Sequence, residues 1–459
     1  MTPEPKDKEA PRLFGTNGVR GVVNTPEMDN VFALRLGQAI GTYMRGQVMI
    51  GTDARTSGHM IKSACAAGLM ATGCDVLDCG VVPTPTIQFA VKNNKVGGGI
   101  MITASHNPPE FNGIKCIDPD GTEMARQNEE KIERIFHDKS FARADWTKMG
   151  MTKPYTTAID EYVDAIIGLV DAQAIRKAGL RVAVDCSNGP ASHVTPRMLE
   201  RLGVKYVTLN ADPNGAFPGH NSEPTPENTK DIVGLVKAGG FDFGFVHDGD
   251  ADRTIFIDDN GRYLYGDRSL ALCAYHACLK SDGGLVVTSV GSSMCVEDAT
   301  KMAGGSILYT MVGSPIVARE MIKHDAVFGG EENGGLIFPE LQYCRDGAMS
   351  GAKILEIVAH HGRLSEQMDK IPSYSQYKVK TKCPNDRKQE IMSKLAASAK
   401  GDRLDTTDGV KIFSDKSWVL VRPSGTEPIF RVFSEAPTME EAKKLAEDYK
   451  TEVERLLKE

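Results

Sequence analysis

Residues 97–115 read GGGIMITASHNPPEFNGIK, an apolar run followed by polar side chains that can carry charge and protons. The apolar run predicts a buried β-strand that ends just before Ser105. The loop then supplies the hydroxyl of Ser105, the imidazole of His106 and the ammonium of Lys115, and two prolines stiffen its backbone. Such a serine can carry a phosphoryl group, because a nearby cation offsets charge on the transferred oxygens. An ordinary surface turn is the alternative, since Ser, Asn and Pro are common turn residues.

Apolar runs and helical patterns alternate on both sides of this segment, which is typical of βαβ units with a mostly parallel sheet. A helix is predicted near residues 57–72. The predicted strands are VMIGTD at 48–53, DVLDCGVV from 75, LRVAVD at 180–185, KYVTLN at 205–210, FDFGFVHD at 241–248, GLVVTSV at 284–290 and DAVFGGEE at 325–332.

The C-terminal part has a different pattern. SYSQYKVKTK, WVLVRPSG and IFRVFSEA alternate in polarity, and a helix is predicted from about Thr438. We therefore expect an α/β protein with three α/β domains and a smaller α+β domain. Their predicted bounds are 1–155, 156–254, 255–371 and 372–459.

Composition narrows the classes of partner. The chain has 459 residues, 54 Lys and Arg against 61 Asp and Glu, and a formal net charge of -7. No general basic field is available for nucleic acid or an anionic membrane, so an anionic ligand must be held by local cations. No apolar run approaches the roughly 20 residues of a membrane helix, and we expect a cytoplasmic protein. The sequence leaves homo-oligomerisation open.

HDGDADR at 247–253 directly follows an apolar strand and places Asp248, Asp250 and Asp252 on alternate residues. Such a loop can aim three carboxylates at one point, and hard oxygen ligands suit Mg²⁺. The alternatives are a calcium loop or a solvated acidic turn. The segment does not match the EF-hand pattern, because the positions that follow lack the late Glu of that pattern. Arg253 adjoins the cluster and is expected to contact a phosphate.

RPSGTEP at 422–428 follows the predicted strand WVLV. Arg422, Ser424 and Thr426 surround Gly425, and a guanidinium, two hydroxyls and the backbone amides of a Gly turn make an anion cradle. An ordinary tight turn is the alternative.

GGEENGG at 329–335 has carboxylates flanked by glycines. Glu331 and Asn333 can accept hydrogen bonds from sugar hydroxyls, although the segment alone could be an acidic loop. FGTNGVRG at 14–21 and GTDARTSG at 51–58 match neither a Walker loop nor a dinucleotide fingerprint. We expect Arg20 to neutralise phosphate charge and Arg55 to be structural.

Taken in this order, the four segments resemble the α-D-phosphohexomutase family over essentially the whole chain. TASHNPPEFNGIK is similar to its phosphoserine loop, DGDADR to its metal loop, GEENGG to its sugar-binding loop and RPSGTEP to its phosphate-binding loop. The resemblance implies three similar mixed-sheet α/β domains and a smaller fourth domain around a central cleft.

The resemblance also implies a mechanism and its cofactors. Phosphorylated Ser105, with Mg²⁺ bound nearby, gives its phosphoryl group to a hexose phosphate and forms a hexose 1,6-bisphosphate, which turns over and rephosphorylates the serine. Ser105 would itself be a metal ligand with the three aspartates. Lys115 and Arg20 are implied as charge neutralisers, Lys115 or His106 as proton carriers, and the loop at 422–428 as the holder of the other phosphate.

The sugar loop departs from many family members, which have Ser and His where this chain has Asn333 and Gly335. This variant is more similar to archaeal phosphoglucosamine mutases and to bifunctional phosphomannomutase/phosphoglucomutases. We expect a phosphoglucosamine mutase, with phosphomannomutase/phosphoglucomutase as the alternative. A sugar-phosphate phosphatase and a catalytically silent binding protein are the rival classes.

Overall fold

The structure is a computed structural model that describes residues 12–399, 403–424 and 427–459. The chain forms two compact units. The first unit contains the chain up to Tyr263 together with Glu340–His360. The second unit contains Leu264–Pro339 and His361–Glu459. Over the described ranges, every helix is too short or too polar to cross a membrane.

The first sheet lies in the first unit. Its elements are β1 (Val19–Val22), α1 (Asn30–Met44), β2 (Gln47–Thr52), α2 (Gly58–Ala71), β3 (Asp75–Val81), α3 (Thr84–Asn94), β4 (Gly99–Ile102), β5 (Phe111–Ile117), α4 (Arg126–Asp138) and β6 (Thr152–Pro154). The strand order is β1-β5-β4-β2-β3-β6. β2 is parallel to β3 and β4, whereas β5 is antiparallel to β4.

The second sheet follows. Its elements are α5 (Ala158–Gly168), α6 (Ala172–Ala178), β7 (Arg181–Asp185), α7 (Thr195–Arg201), β8 (Lys205–Leu209), α8 (Lys230–Ala238), β9 (Phe243–His247), β10 (Thr254–Asp258) and β11 (Tyr263–Leu264). The order is β11-β10-β9-β7-β8. β7 is parallel to β8 and β9, and β10 is antiparallel to β9.

The third sheet lies in the second unit. Its elements are α9 (Gly266–Lys280), β12 (Gly284–Ser289), α10 (Met294–Met302), β13 (Gly305–Thr310), α11 (Ser314–His324), β14 (Phe328–Glu331) and β15 (Gly335–Ile337). Next in the chain are α12 (Gly347–His361), which belongs to the first unit except for its last residue, and α13 (Leu364–Asp369) of the second unit. The order is β13-β12-β14-β15, with only β15 antiparallel to its neighbour.

These three sheets share one four-strand pattern, in which two parallel neighbours flank a central strand and an antiparallel strand completes one side. Three loops that carry predicted site residues are named here for their predicted roles. The serine loop (103–110) connects β4 to β5, the metal loop (248–253) connects β9 to β10, and the sugar loop (332–334, with Glu331 at the end of β14) connects β14 to β15. Each loop therefore occupies the same position in its sheet, at the carboxyl end of the third parallel strand.

The C-terminal sheet is antiparallel throughout, with the order β16-β20-β19-β18-β17. Its elements are β16 (Ser375–Lys382), α14 (Lys388–Ser398), β17 (Arg403–Asp405), β18 (Val410–Ser414), β19 (Ser417–Pro423), β20 (Ile429–Ala436) and α15 (Met439–Lys458). Thr438 and Glu441 form a capping box at the start of α15. The predicted fold class of three similar mixed-sheet α/β domains and a smaller α+β domain is confirmed, and the residue-level domain bounds stay a prediction.

Small residues let α1 and α2 pack closely in the first unit. A Cβ atom added to Gly37 would lie 2.3 Å from the backbone oxygen of Cys65, and one added to Gly68 would lie 2.3 Å from that of Leu34. Neither distance is physically accessible without moving a helix backbone. The two glycines therefore fix the separation of these helices, which cover the core around Leu36 and Ile61.

Replacing Gly37 with Ala should loosen this contact, because an added methyl group in a closely packed interface costs about 1–3 kcal/mol. Hydrogen exchange measured by mass spectrometry should show the opening free energy of α1 and α2 lowered by that amount. Gly168→Ala in α5 is the matched control, since a Cβ atom there meets nothing within 4 Å. Equal exchange in α1 and α2 of the two variants would contradict the packing argument.

Candidate active site

Ser105 lies in the short loop after β4 and is fully buried. Its φ of 51° is in the left-handed region, which costs a non-glycine residue about 1–2 kcal/mol. The Ser105 amide donates to Thr103 Oγ1 at 2.8 Å, and its hydroxyl donates to Asp248 Oδ2 at 2.9 Å. The backbone thus turns the hydroxyl towards the metal loop, and a strained backbone at a reactive residue is typical of functional sites.

The serine loop is held from inside by Arg55, whose side chain is buried. Its guanidinium donates to the carbonyl oxygens of Ser105 at 2.9 Å, Asn107 at 2.5 Å, Pro108 at 2.6 Å and Phe111 at 2.8 Å. Its Nε donates to Asp53 Oδ2 at 3.2 Å. The planar fork of one arginine therefore fixes the loop, which agrees with the structural role expected for this residue.

Asp248, Asp250 and Asp252 lie at the end of β9 and in the turn after it, and all three are buried. One carboxylate oxygen from each lies within 4.8 Å of the others. A Cβ atom on Gly249 would lie only 2.4 Å from the Ser105 backbone oxygen, so the metal loop and the serine loop touch. The structure therefore brings Ser105 and the three predicted ligands together.

Burial and repulsion govern the charge of this cluster. Burial, together with the charges of Asp252 and Asp250, raises the pKa of Asp248 well above its usual range. Burial also disfavours ionisation of Asp250, but the ammonium of Lys115 outweighs it and holds the pKa of Asp250 below its usual range. The cluster is therefore short of positive charge, and a divalent cation would allow all three aspartates to ionise.

The carboxylate oxygens fit a metal ion. Among the described residues, Asp250 Oδ1 and Asp252 Oδ1 are buried and accept no hydrogen bond. Both oxygens of Asp248 accept a hydrogen bond, Oδ2 from the Ser105 hydroxyl and Oδ1 from the Arg253 amide. Asp250 and Asp252 thus each have one oxygen to offer to a hard cation such as Mg²⁺, and an oxygen of Asp248 lies within 4.8 Å of them.

Three cationic or imidazole side chains predicted for the site surround this cluster. Lys115, on β5, lies 2.7 Å from Asp250 Oδ2 and 3.5 Å from Asp252 Oδ2. Arg20, on β1, donates to Asn107 Oδ1 at 2.7 Å. His106 Nδ1 is 3.3 Å from Ser105 Oγ. Burial, with the positive charges of Arg253 and Arg20, lowers the pKa of His106 to about 3, so its imidazole is neutral at pH 7.

Arg253 lies at the end of the metal loop and is mostly buried. Its amide donates to Asp248 Oδ1 at 3.2 Å, and its guanidinium Nη1 lies 3.6 Å from Glu223 Oε1. Its Nε is 3.7 Å from Asp252 Oδ1. The residue therefore both shapes the metal loop and presents a positive charge beside it.

The sugar loop lies in the second unit. Glu331 is buried and its Oε1 accepts the amide of Gly313 at 2.9 Å, while Asn333 Oδ1 accepts the amide of Gly335 at 3.1 Å. Glu332 Oε2 accepts the hydroxyl of Ser289 at 3.0 Å. These contacts fix the loop backbone, so Glu331 and Asn333 have a structural role in addition to the sugar contacts expected of them.

The predicted phosphate loop also lies in the second unit. Arg422 Nε is 2.9 Å from Asp408 Oδ2. The Ser424 amide donates to Ile429 O at 3.0 Å, and Lys388 Nζ donates to Ser424 O at 2.6 Å. Gly425 and Thr426 lie outside the described residues.

Sequence reasoning missed several residues that hold the site. Thr84 Oγ1 donates to Asp250 Oδ2 at 2.6 Å, and Arg345 Nη2 lies 2.5 Å from Asp252 Oδ2. Both partners are distant in sequence, and neither residue belongs to a motif that signals its contact. Thr84 lies between Pro83 and Pro85, just after the predicted strand DVLDCGVV, and this position is the one local sign of a loop there.

Family models match the chain along most of its length. The models of the four phosphoglucomutase/phosphomannomutase domains match the chain in order: α/β/α domain I at residues 11–143, α/β/α domain II at 160–261, α/β/α domain III at 265–374 and the C-terminal domain at 379–451.

Relatives and solved structures agree. The chain is 46% identical to a phosphoglucomutase/phosphomannomutase of Thermococcus kodakarensis, over 95% of this chain and 97% of that protein. It is 40% identical to a probable phosphoglucosamine mutase of Methanopyrus kandleri, over 98% and 99% of the two chains. A phosphoglucomutase/phosphomannomutase family protein of Burkholderia thailandensis superposes with a TM-score of 0.88 at 28% identity, over 97% of each chain.

Fold and comparisons together define an enzyme of the isomerase class that moves a phosphoryl group within a sugar phosphate. The chain belongs to the phosphoglucomutase/phosphomannomutase family, whose members are the phosphohexomutases.

Arg55→Lys should loosen the serine loop, because lysine cannot reach four carbonyl oxygens at once and each lost charge-assisted hydrogen bond costs about 1.5–3 kcal/mol. Amides of residues 103–111 should exchange faster by hydrogen exchange mass spectrometry. Arg197→Lys is the matched control, since Arg197 forms an exposed ion pair with Asp160 and such pairs contribute about 0–1 kcal/mol. Unchanged exchange of residues 103–111 in Arg55→Lys would exclude this role.

Proposed function

We propose that this enzyme interconverts glucosamine 6-phosphate and glucosamine 1-phosphate through a phosphorylated Ser105 and a 1,6-bisphosphate. The observation that carries the proposal is the direct contact of Ser105 Oγ with Asp248 Oδ2, inside a cluster of three buried aspartates. A nucleophile beside a site for a divalent cation suits phosphoryl transfer, in which positioning and charge stabilisation supply most of the catalysis.

The transfer step follows from the residues around the serine. The oxygen of a sugar hydroxyl attacks the phosphorus of phosphoserine, the bond from phosphorus to Ser105 Oγ breaks, and the hydroxyl proton passes through His106 or Lys115 to that oxygen. The low pKa of His106 leaves its imidazole neutral but makes it a weak base, so Lys115 is the better proton carrier of the two. After the bisphosphate turns over, Ser105 Oγ attacks the phosphorus of its other phosphoryl group. The bond from that phosphorus to the sugar oxygen breaks, the serine proton passes to the sugar oxygen, and the phosphoserine is restored.

Charge neutralisation supports the same assignment. A phosphoserine adds a charge of about -1.5 to -2 at pH 7. In this proposal Lys115, Arg20 and Arg253 offset that charge from the protein side. Asp248, Asp250 and Asp252 would hold Mg²⁺, which members of this family generally use; the ion supplies positive charge against the phosphoryl oxygens.

Exclusion of water from the phosphoserine is the requirement that separates a mutase from a phosphatase at this site. Ser105 is fully buried between its own loop and the metal loop. A phosphatase would need water to attack the phosphoserine in line, whereas a mutase must keep water away until the sugar accepts the group.

In the second unit, we propose that Glu331 and Asn333 contact the sugar hydroxyls, and that Arg422, Ser424, Gly425 and Thr426 hold the phosphate that is not transferred. Arg422 is paired with Asp408. A bidentate phosphate would compete with that pair, since guanidinium groups bind phosphate in the same fork geometry.

The choice of sugar has two candidates. The Methanopyrus relative and the EENGG loop support glucosamine phosphate. Glucose and mannose phosphates are the second candidate, because the Thermococcus relative is more similar to this chain and is named for those sugars. An amine and a hydroxyl at C2 differ by one pattern of hydrogen-bond donors, which a binding pocket can read only with a dedicated polar group.

The test is an isomerisation assay with Mg²⁺ that compares glucosamine, glucose and mannose 6-phosphates, each primed with its 1,6-bisphosphate. We expect 1-phosphate without free phosphate, fastest with glucosamine phosphate. Ser105→Ala should reduce the rate by at least about 10⁴-fold, because it removes the nucleophile.

Ser140→Ala, at an exposed serine, is the control and should retain full activity. A phosphatase would release free phosphate alone. Full isomerisation by Ser105→Ala would overturn the mechanism, and a faster rate with glucose or mannose phosphate would move the assignment to the second candidate.

A further inference from the structure

The metal loop is supported by a segment, Glu340–His360, that lies outside the residues matched by the family models of domains I and II. Glu340–His360 folds with the first unit, although it falls in the part of the chain matched by the domain III model. The Gly347 amide donates to Ala251 O at 3.2 Å, and Thr254 Oγ1 donates to Gly347 O at 3.0 Å. A Cβ atom on Gly347 would lie 2.7 Å from Ala251 O. The start of α12 is therefore fitted directly against the backbone of the metal loop.

Arg345 reaches the metal cluster from this segment. It is 6% exposed, and its Nη2 lies 2.5 Å from Asp252 Oδ2 and 3.8 Å from Glu123 Oε1. The neighbouring Asp346 is fixed in turn, since its Oδ1 accepts the Tyr162 hydroxyl at 2.5 Å and its Oδ2 accepts Gln342 Nε2 at 3.1 Å. The guanidinium is thus held in place by the packed segment on which it lies.

Arg345 and Lys115 each occupy one carboxylate oxygen, of Asp252 and Asp250 respectively, and leave the other oxygen of each residue for a metal. Asp252 uses Oδ2 for Arg345, and Asp250 uses Oδ2 for Lys115 at 2.7 Å and Thr84 at 2.6 Å. The other oxygens, Asp250 Oδ1 and Asp252 Oδ1, are buried without a hydrogen-bond donor. A metal at this cluster would therefore meet single oxygens from both residues.

This division of oxygens bears on which metal the site prefers. Mg²⁺ is small and requires nearly ideal octahedral coordination, which single oxygens provide. Ca²⁺ takes six to eight oxygens and readily binds carboxylates through both oxygens at once. A carboxylate with one oxygen held by a guanidinium cannot bind in that second way.

We infer that Arg345 is a positioning residue that restricts Asp252 to one metal-binding oxygen and so makes the site select Mg²⁺ over Ca²⁺. The inference rests on the proposed metal site. Its alternative is that Arg345 only adds positive charge. A bare charge weakens the binding of both divalent ions alike, so the ratio of the two affinities separates geometry from charge.

The experiment measures Mg²⁺ and Ca²⁺ dissociation constants by isothermal titration calorimetry for the full-length enzyme, with the phosphorylation state of Ser105 matched by intact mass. Arg345→Met should reduce the preference for Mg²⁺ over Ca²⁺ by about 10-fold, because Asp252 Oδ2 then keeps only the longer contact of 3.5 Å with Lys115 Nζ and can turn to the metal. Arg345→Lys keeps a cation on that oxygen and should retain most of the preference. Arg197→Met, which removes an exposed cation, is the matched control and should leave the ratio unchanged.

An unchanged ratio in Arg345→Met, with both ions still binding, overturns this inference and leaves the metal site standing. Failure of Mg²⁺ to bind the wild-type enzyme overturns the proposed metal site itself. Infrared difference spectra of the wild-type enzyme give an answer even if Arg345→Met does not fold. The bands of Asp252 are those missing from the spectra of Asp252→Asn. They should indicate binding through a single oxygen with both ions, and a two-oxygen pattern of Asp252 with Ca²⁺ would overturn the inference.

Discussion

The mutual repulsion of three buried carboxylates is the constraint on which the site depends. Two like charges 4 Å apart repel by about 4 kcal/mol at an effective dielectric constant of 20, and Asp248, Asp250 and Asp252 have ligand oxygens within 4.8 Å of one another. Lys115 and Arg345 offset part of that charge through Asp250 and Asp252. The raised pKa of Asp248 marks the charge that remains uncompensated. In the proposed mechanism a divalent ion would remove it, and a phosphoserine would bring back negative charge that the same ion and the surrounding arginines could offset.

The repeated sheet pattern explains how such a site is assembled from distant segments. In each of the three α/β sheets the functional loop joins the third parallel strand to an antiparallel strand. In the first unit, this placement brings the serine loop and the metal loop into contact through Ser105 and Gly249. Repetition of one sheet design therefore puts the proposed nucleophile, metal site and sugar loop at the same structural position in three sheets.

Much of the fold and of the candidate site was predictable from the sequence. The motifs stand at the ends of apolar strands, where the spacing of apolar residues and the local composition indicate the secondary structure. The fold class, the strands that precede the loops and the helix that starts after Thr438 follow from local patterns. The long-range contacts that support the metal loop do not follow from local patterns. Arg345 and Asp252 are 93 residues apart, and nothing local indicates that the segment around Gly347 folds back onto the metal loop. Lys115, expected within a functional loop, lies on the antiparallel strand β5, because that strand pairs with β4 and β1 through contacts that sequence spacing does not encode.

Transfer of a labelled phosphoryl group tests the central claim most directly. The enzyme would be phosphorylated with ³²P-labelled hexose 1,6-bisphosphate, freed of ligand and mixed with unlabelled hexose 6-phosphate in a single turnover. The account predicts label on the Ser105 peptide before mixing and on hexose 1,6-bisphosphate and hexose monophosphate afterwards, with little inorganic phosphate. Label that never resides on Ser105, or that leaves it only as inorganic phosphate, would contradict the account.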